Sequence, residues 1–274
     1  FTFQSGKWWK TNSKAENISN LVDGYYDQLL GGKNGDWIKC YAQGEYTYVQ
    51  EGKPVWSEYN DNLMVEDLEA DPTIPVNIGL DFGLTPAAVF AQKLRNGRWN
   101  VLHELVTFDM GLNRFVTALK TAIEQHFPKF EVMVWGDPAG MQRDQIFEST
   151  AFDHLKQHGI LARPTHTNDF RTRREAMAIP MGRLIEGKPG FMINRSCVRL
   201  RKALAGGYHF KRIQIGSASE RFRDTPNKNE HSHVGDAAAY LFLGGGEHRG
   251  MVRRPQAQFG AQQAKVMDFD VFSR

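Results

Sequence analysis

The run Val76-Asn77-Ile78-Gly79-Leu80-Asp81 constrains this chain more than any other stretch: it is apolar, of strand length, entered through Pro72 to Pro75 and ended by an acid and a Gly83 turn. Such a run bounded by turn formers reads as a buried strand. Ala87 to Lys93 and Trp99 to Phe108 read as two further strands, and Asn96-Gly97 between them has the residue types of a tight hairpin turn. Three consecutive antiparallel strands therefore open a sheet.

Crossover elements follow. Leu112, Phe115, Val116, Leu119 and Ile123 form a helical stripe that ends before Pro128, and Glu131 to Trp135 is a β-rich run that stops at Gly136-Asp137-Pro138. Gln145 to His158 reads as a helix, Ile160 to Arg163 as a strand, and Arg171 to Glu186 as a helix kinked at Pro180 and closed by Gly187. Phe191 to Ile193 is a short extended piece, Cys197 to Leu204 a helix, and Tyr208 to Ile215 a strand with Gly216 to Phe222 as its returning arm. Ser232 to Leu243 is a final apolar helix. The order predicts an α/β fold, a mixed sheet of three antiparallel strands and then parallel ones, with helices on both faces.

The organisation read from these patterns is a main domain over residues 71–250, a polar tail over 251–274, and an aromatic-rich appendage over 1–70. Within the appendage, Ser19 to Leu30 has helical spacing and stops at Gly31-Gly32. Gly31-Gly32-Lys33-Asn34 lacks the spacing and the Ser/Thr of a P-loop. The chain opens at Phe1 and its first tidy apolar strand comes only near Val76, which gives it the look of a piece of a longer protein.

Two strand ends carry acids. Asp81 lies among apolar residues, where burial makes a lone carboxylate costly, and Asp137 closes Val132 to Gly136, at the edge where parallel sheets bind ligands. Asp236 sits on the last helix among small residues that allow close approach to the sheet, and His233 shares its helix face three residues earlier. Gathered together, the three carboxylates repel unless cations lie between them, and hard divalent ions with oxygen ligands meet that need. Two such ions, Mg²⁺ or Mn²⁺, would serve hydrolysis of a phosphodiester without a Ser or Cys nucleophile.

Bulk properties narrow the class. A hydrophobic content of 41% suits a packed core, and no apolar run reaches membrane-spanning length. Cys40 and Cys197 stand apart without zinc-type spacing and read as packing residues. The net charge is only +3, yet Arg163 to Asp224 holds fourteen Lys/Arg against five Asp/Glu. That imbalance suits either a phosphate-binding surface or a set of solvated helix faces.

Together, Ile78 to Pro86, Val134 to Gly140 and His231 to Tyr240 resemble the nuclease domain of bacteriophage terminase large subunits. The resemblance implies a ribonuclease H-like fold, with Asp81, Asp137 and Asp236 as the catalytic, two-metal ligand set and Ser232-His233 before the third acid. It extends upstream through Gly24-Tyr25, Trp37, Tyr41, Gly44-Glu45 and Gly52 to Val55, making residues 1–70 the tail of an absent ATPase domain. The implied activity is an endodeoxyribonuclease of the viral packaging motor, cutting concatemeric double-stranded DNA with little sequence preference in the host cell cytoplasm. The implied partners are that DNA, the portal and the small terminase subunit, with a homo-oligomer only in the full-length motor. Tyr208 to Phe222 falls where the family carries a hairpin, so Lys211, Arg212, Arg221 and Arg223 are expected on backbone phosphates; a hairpin that only packs is the alternative.

Lesser candidates are His233 as an orienter of Asp236 or a proton acceptor, with a plain helix-packing histidine as the equal alternative, His231, Asp144 as accessory ligand or helix-terminus acid, and Glu104 on a strand that could face the centre. Two other functions fit parts of the pattern. Gly79 to Thr85 resembles the first phosphate loop of actin-like and sugar-kinase ATPases, although Gly244-Gly245-Gly246 follows a helix and does not open a strand. A DNA- or portal-docking module that cleaves nothing is the non-enzymatic alternative.

Overall fold

The computed structural model describes residues 2–4, 7–9, 52–83, 85–143, 149–213 and 221–247. The expected helix at Ser19 to Leu30, Cys40, Asp144 and the 251–274 tail lie outside the described residues. Two short strands, β1 (Thr2–Gln4) and β2 (Lys7–Trp9), pair as a separate hairpin.

Seven strands make the main sheet: β4 (Val65–Glu66), β5 (Val76–Asp81), β6 (Ala87–Lys93), β7 (Trp99–Val106), β8 (Val132–Gly136), β9 (Ala162–Pro164) and β12 (Phe191–Asn194). A single helical turn, α1 (Asp61–Met64), capped by Asn60, leads into β4. The spatial order of the strands is β4-β12-β7-β6-β5-β8-β9. The β5-β6-β7 meander is antiparallel, as read from the sequence, and β8 and β9 add in parallel on one side. On the other side β12 pairs in parallel with both β7 and β4, an edge that the isolated run Phe191 to Ile193 did not announce.

The alternation of side chains across the sheet decides where the acids go. Val76, Ile78 and Leu80 of β5 and Val134 of β8 face a core with Phe115, Val116 and Leu119 of α2 (Leu112–His126) and Leu155 of α3 (Ala151–Gln157). Asn77, Gly79 and Asp81 consequently point to the opposite face, and so do Trp135 and Asp137. That face is covered by α6 (Ser232–Gly244), with α4 (Phe170–Gly182) packed beside it, so helices flank both sides. Gly79 makes the contact possible: a Cβ there would overlap the Ala237 carbonyl oxygen and lie 2.6 Å from Leu241 Cβ.

Several boundaries differ from the periodic reading. α4 ends at Gly182, and Arg183 is extended. Beyond it β10 (Leu184–Ile185) and β11 (Lys188–Pro189) form a hairpin about Glu186-Gly187, with φ of 53° and 78°. Pro180 has no N–H to donate, so the ladder weakens where the turn begins. The helix at Cys197 to Leu204 is α5 (Val198–Lys202) followed by a π-helical turn, Ala203–Gly207. A third small sheet joins β3 (Gly52–Pro54), β13 (His209–Ile213) and β14 (Arg221–Phe222). The neighbouring Val55 and Trp56 are buried in the same core as α6.

Candidate active site

Asp81 ends β5, and the parallel register Leu80↔Gly136 sets Asp137 directly alongside it; the Asp137 N–H donates to the Leu80 carbonyl at 3.3 Å. Phe82 packs its ring where a Cβ on Gly136 or Gly140 would lie, and meets Phe152 edge-on at 5.4 Å. That packing holds the turn after β8 against the end of β5. Asp137 is half-buried and caps the 3-10 turn Pro138–Met141, accepting the Ala139 N–H at 2.9 Å.

Asp236 enters from α6. It is 1% exposed, and its Oδ1 accepts from Arg173 at 3.0 Å and from the Tyr208 hydroxyl at 3.3 Å, while its Oδ2 meets the Lys228 ammonium. Burial works against the Arg173 charge, and Asp236, with Tyr240 and Tyr208 beside it, more than offsets it, so the guanidinium is held above its ordinary value. Arg173 also lies 4.5 Å over the Tyr240 ring. The Tyr240 hydroxyl donates to Asn168 at 2.6 Å and is held above the phenol range, chiefly by burial, with Asp137 and Asp81 adding their charges against that of Arg173. Asp81 and Asp137 thus act on one tyrosine, and Arg173 joins the ring of that tyrosine to Asp236.

Asp81 is 7% exposed, and its side-chain partner is His233, whose Nδ1 lies 3.0 Å from Oδ2. Its pKa is pushed up to about 6, chiefly by burial; the His233 bond opposes this and the Asp236 charge adds to it. The His233 pKa rises in turn, first through that hydrogen bond. His233 therefore attends Asp81, across the gap to the sheet, and not Asp236 on its own helix as the spacing suggested. An i, i+3 pair can share a face and still reach different partners, because Asp236 is engaged by Arg173, Tyr208 and Lys228.

Glu104 lies on the same face of the sheet as Gly79 and Asp81, through the pairs Gly79↔Val89 and Val89↔Glu104, but it is engaged elsewhere: it accepts the Arg199 and Leu200 N–H groups at 2.7 Å each and caps α5, with its pKa raised by burial. His231 contacts Glu230 at 3.6 Å. Lys211, Arg212, Arg221 and Arg223 lie exposed on or next to the β13-β14 pair, where Arg212 faces Phe222 and Ile213 faces Arg221. Tyr208 immediately precedes β13 and Lys228 follows β14, and both touch Asp236, so the base of this hairpin is fixed to the acidic site. Sequence reasoning missed Arg173, Tyr208 and Lys228 as site residues. Arg173 is one of fourteen cations in its region, and nothing in its helix marks it as the buried one.

Among the described residues, no three His, Cys, Asp or Glu side chains form a metal-holding group. The donor chemistry nevertheless suits a hard divalent cation: carboxylate oxygens, no thiolate, and a buried Asp81 whose charge is opposed by that of Asp236.

A mixed sheet of this order, flanked by helices and carrying acids at adjacent strand ends and on a covering helix, is a ribonuclease H-like fold. Its likeness is to large-terminase nuclease domains. The P22 large terminase nuclease domain matches with a TM-score of 0.51 at 14% identity, over 70% of this chain and 93% of that domain. Large terminase from a thermophilic bacteriophage matches in two crystal forms, with TM-scores of 0.53 and 0.54 at 18% identity, over 84% and 83% of this chain. The chain spans about half of that thermophilic protein, 53% and 52% in the two forms. No protein-family model matches the sequence, and no curated protein does.

Proposed function

We propose that this chain is the nuclease portion of a phage DNA-packaging motor, a metal-dependent endodeoxyribonuclease that cuts concatemeric double-stranded DNA with little sequence preference. The observation that carries this reading is the buried Asp81, set beside Asp137 and opposed by the charge of Asp236, with a histidine as its hydrogen-bond partner among the described side chains. Asp81, Asp137 and Asp236 would hold two Mg²⁺ or Mn²⁺ ions. Those ions would supply activation of the attacking water and neutralisation of charge on the scissile phosphate.

The remaining steps belong to the protein. His233 holds Asp81 in place through Oδ2 and, half-buried, is set to take up a proton near that carboxylate. Lys211, Arg212, Arg221 and Arg223 bind backbone phosphates and bring the duplex to the acids without reading bases. The chain upstream of residue 52 is the tail of an ATPase domain, and residues 251–274 a polar extension; residues 52–70, expected from the sequence to be part of that tail, supply β3, α1 and β4 and pack into the same core as α6. In the longer protein the partners are the portal and the small terminase subunit, the assembly is a homo-oligomer, and the work is done in the host cell cytoplasm. No helix among the described residues is long and apolar enough to cross a membrane.

The test is nicking of supercoiled plasmid with Mn²⁺ or Mg²⁺, with EDTA and Asp81→Ala as controls. Metal-dependent nicking that Asp81→Ala lacks is expected. Equal activity in the two proteins, or none in either, refutes the reading and favours a docking module, whereas plasmid-independent ATP hydrolysis would favour the phosphate-loop alternative.

A further inference from the structure

We infer that Arg173 and Tyr208 are positioning residues that restrict Asp236 to one metal-ligating oxygen, Oδ2, and thereby set the site against Ca²⁺. This rests on the proposed reading of the three aspartates as a metal centre. A carboxylate oxygen offers two acceptor sites, and both sites on Asp236 Oδ1 are taken, by the Arg173 guanidinium at 3.0 Å and the Tyr208 hydroxyl at 3.3 Å. Oδ2 meets only Lys228 among the described residues, and the Lys228 side chain is 65% exposed and can swing into solvent.

Neither donor on Oδ1 can withdraw in that way. Arg173 is buried between the Tyr240 ring, 4.5 Å away, and the Phe170 ring, 5.8 Å away. It stays charged at every pH where the protein is folded. Its Nε is buried without a hydrogen-bond partner among the described residues, so the guanidinium is held by ring stacking and by Asp236. Tyr208 is completely buried, meets Trp56 edge-on at 6.0 Å, and lies where a Cβ on Gly235 would come within 2.9 Å of its ring. The absent side chain at Gly235 is what lets the hydroxyl reach the carboxylate one residue further on.

The consequence is a difference in fit between ions. Ca²⁺ gathers six to eight oxygens and commonly takes carboxylates through both, whereas Mg²⁺ and Mn²⁺ are satisfied by octahedral sets of single oxygens. A carboxylate whose second oxygen is permanently hydrogen-bonded serves the smaller ions and leaves Ca²⁺ short of ligands.

The experiment is calorimetric titration of the 274-residue chain with Mn²⁺ and with Ca²⁺, for wild type, Tyr208→Phe, Arg173→Gln and Asp236→Asn. Loss of either donor is expected to weaken Mn²⁺ by about tenfold, a usual effect of removing a hydrogen-bond partner from a ligand, while Ca²⁺ is kept or strengthened. The ratio of the Ca²⁺ to the Mn²⁺ dissociation constant should therefore fall by about the same factor. Tyr208→Phe removes one oxygen atom and keeps the ring, so it decides the matter even if Arg173→Gln does not fold. An unchanged ratio in folded Tyr208→Phe, with Mn²⁺ binding that Asp236→Asn weakens, overturns this inference alone. Mn²⁺ binding that Asp236→Asn leaves untouched, or none at all, overturns the metal-centre reading and this inference with it.

Discussion

Asp81→Asn should make the metal-free protein more stable at alkaline pH while removing its response to divalent cations. Burial raises the Asp81 pKa from 3.8 to about 6. At about 1.36 kcal/mol per unit, keeping the carboxylate ionised at pH 8 costs the fold about 3 kcal/mol relative to the unfolded chain. Because the folded value lies above the unfolded one, this group favours the fold below about pH 4 and loses that contribution as pH rises through about 6. His233 acts in the same direction: its pKa is raised, so its imidazolium stabilises at low pH and the benefit fades as it deprotonates. The two titrate as a pair. Between pH 5 and pH 8 the Asp81 share alone changes by about 1.4 kcal/mol.

Asparagine keeps the shape and an acceptor for His233 and removes the charge. In EDTA, urea unfolding should show Asp81→Asn more stable than wild type at pH 8 by about 2 kcal/mol, once about 1 kcal/mol is subtracted for the weaker hydrogen bond. Its stability should also fall less between pH 5 and pH 8. Added Mn²⁺ should raise the wild-type midpoint and leave the variant where it was. A variant less stable than wild type at pH 8 in EDTA would refute the claim that Asp81 is a burial cost.

Gly79→Ala places a Cβ against the Ala237 carbonyl and should lower stability by about 3 kcal/mol, read by urea unfolding, because α6 cannot stay seated on β5. Glu104→Ala leaves the first N–H groups of α5 without their acceptor and should cost about 1–2 kcal/mol in the same assay, with plasmid nicking per folded molecule unchanged. Replacing Lys211, Arg212, Arg221 and Arg223 by Ser should weaken binding of unrelated DNA duplexes alike. The slope of log K against log salt, measured by fluorescence anisotropy, should flatten by about 0.9 for each phosphate that the variant leaves unneutralised.

How much of this was legible in the sequence follows from which forces are local. The β5-β6-β7 meander and α2 come from alternation and helical stripes over six to fifteen residues, and both are where the pattern put them. The proximity of Asp81 and Asp137 was legible because each ends a strand and the strands are neighbours. β12 was read as an extended piece but not placed, and β4 was hidden: two residues give no period, and its pairing depends on a partner more than a hundred residues away. The partner of His233 was misjudged, and that of Glu104, which does lie on the expected face, was not read, for a related reason. Their side chains answer to partners on other elements, Asp81 for one and the first turn of α5 for the other. Arg173 was invisible as an individual, since the sequence does not say which cation of a basic segment turns inward.

The contrast between two buried acids bears on the choice among functions. Asp236 is the more buried, yet it has Arg173, Tyr208 and Lys228, so its charge is compensated in the way a folded protein ordinarily arranges. Asp81 has, among the described residues, one half-buried histidine as its hydrogen-bond partner and the more distant Lys228 charge in its favour, against burial and the charge of Asp236, and its pKa still rises. A docking module has no use for such a group, because Asn or Ser at the strand end would fill the same space and stabilise the fold. Local costs of this kind persist where a ligand absent from the bare chain removes them. A phosphate-binding loop would need donors aimed at the ligand; a second carboxylate beside Asp81, at Asp137, would repel a phosphate and attract a cation. The charge of Asp81, only partly offset within the protein, is what the proposed cation between the acids would balance, and the proposed phosphodiester substrate is one that such a cation serves.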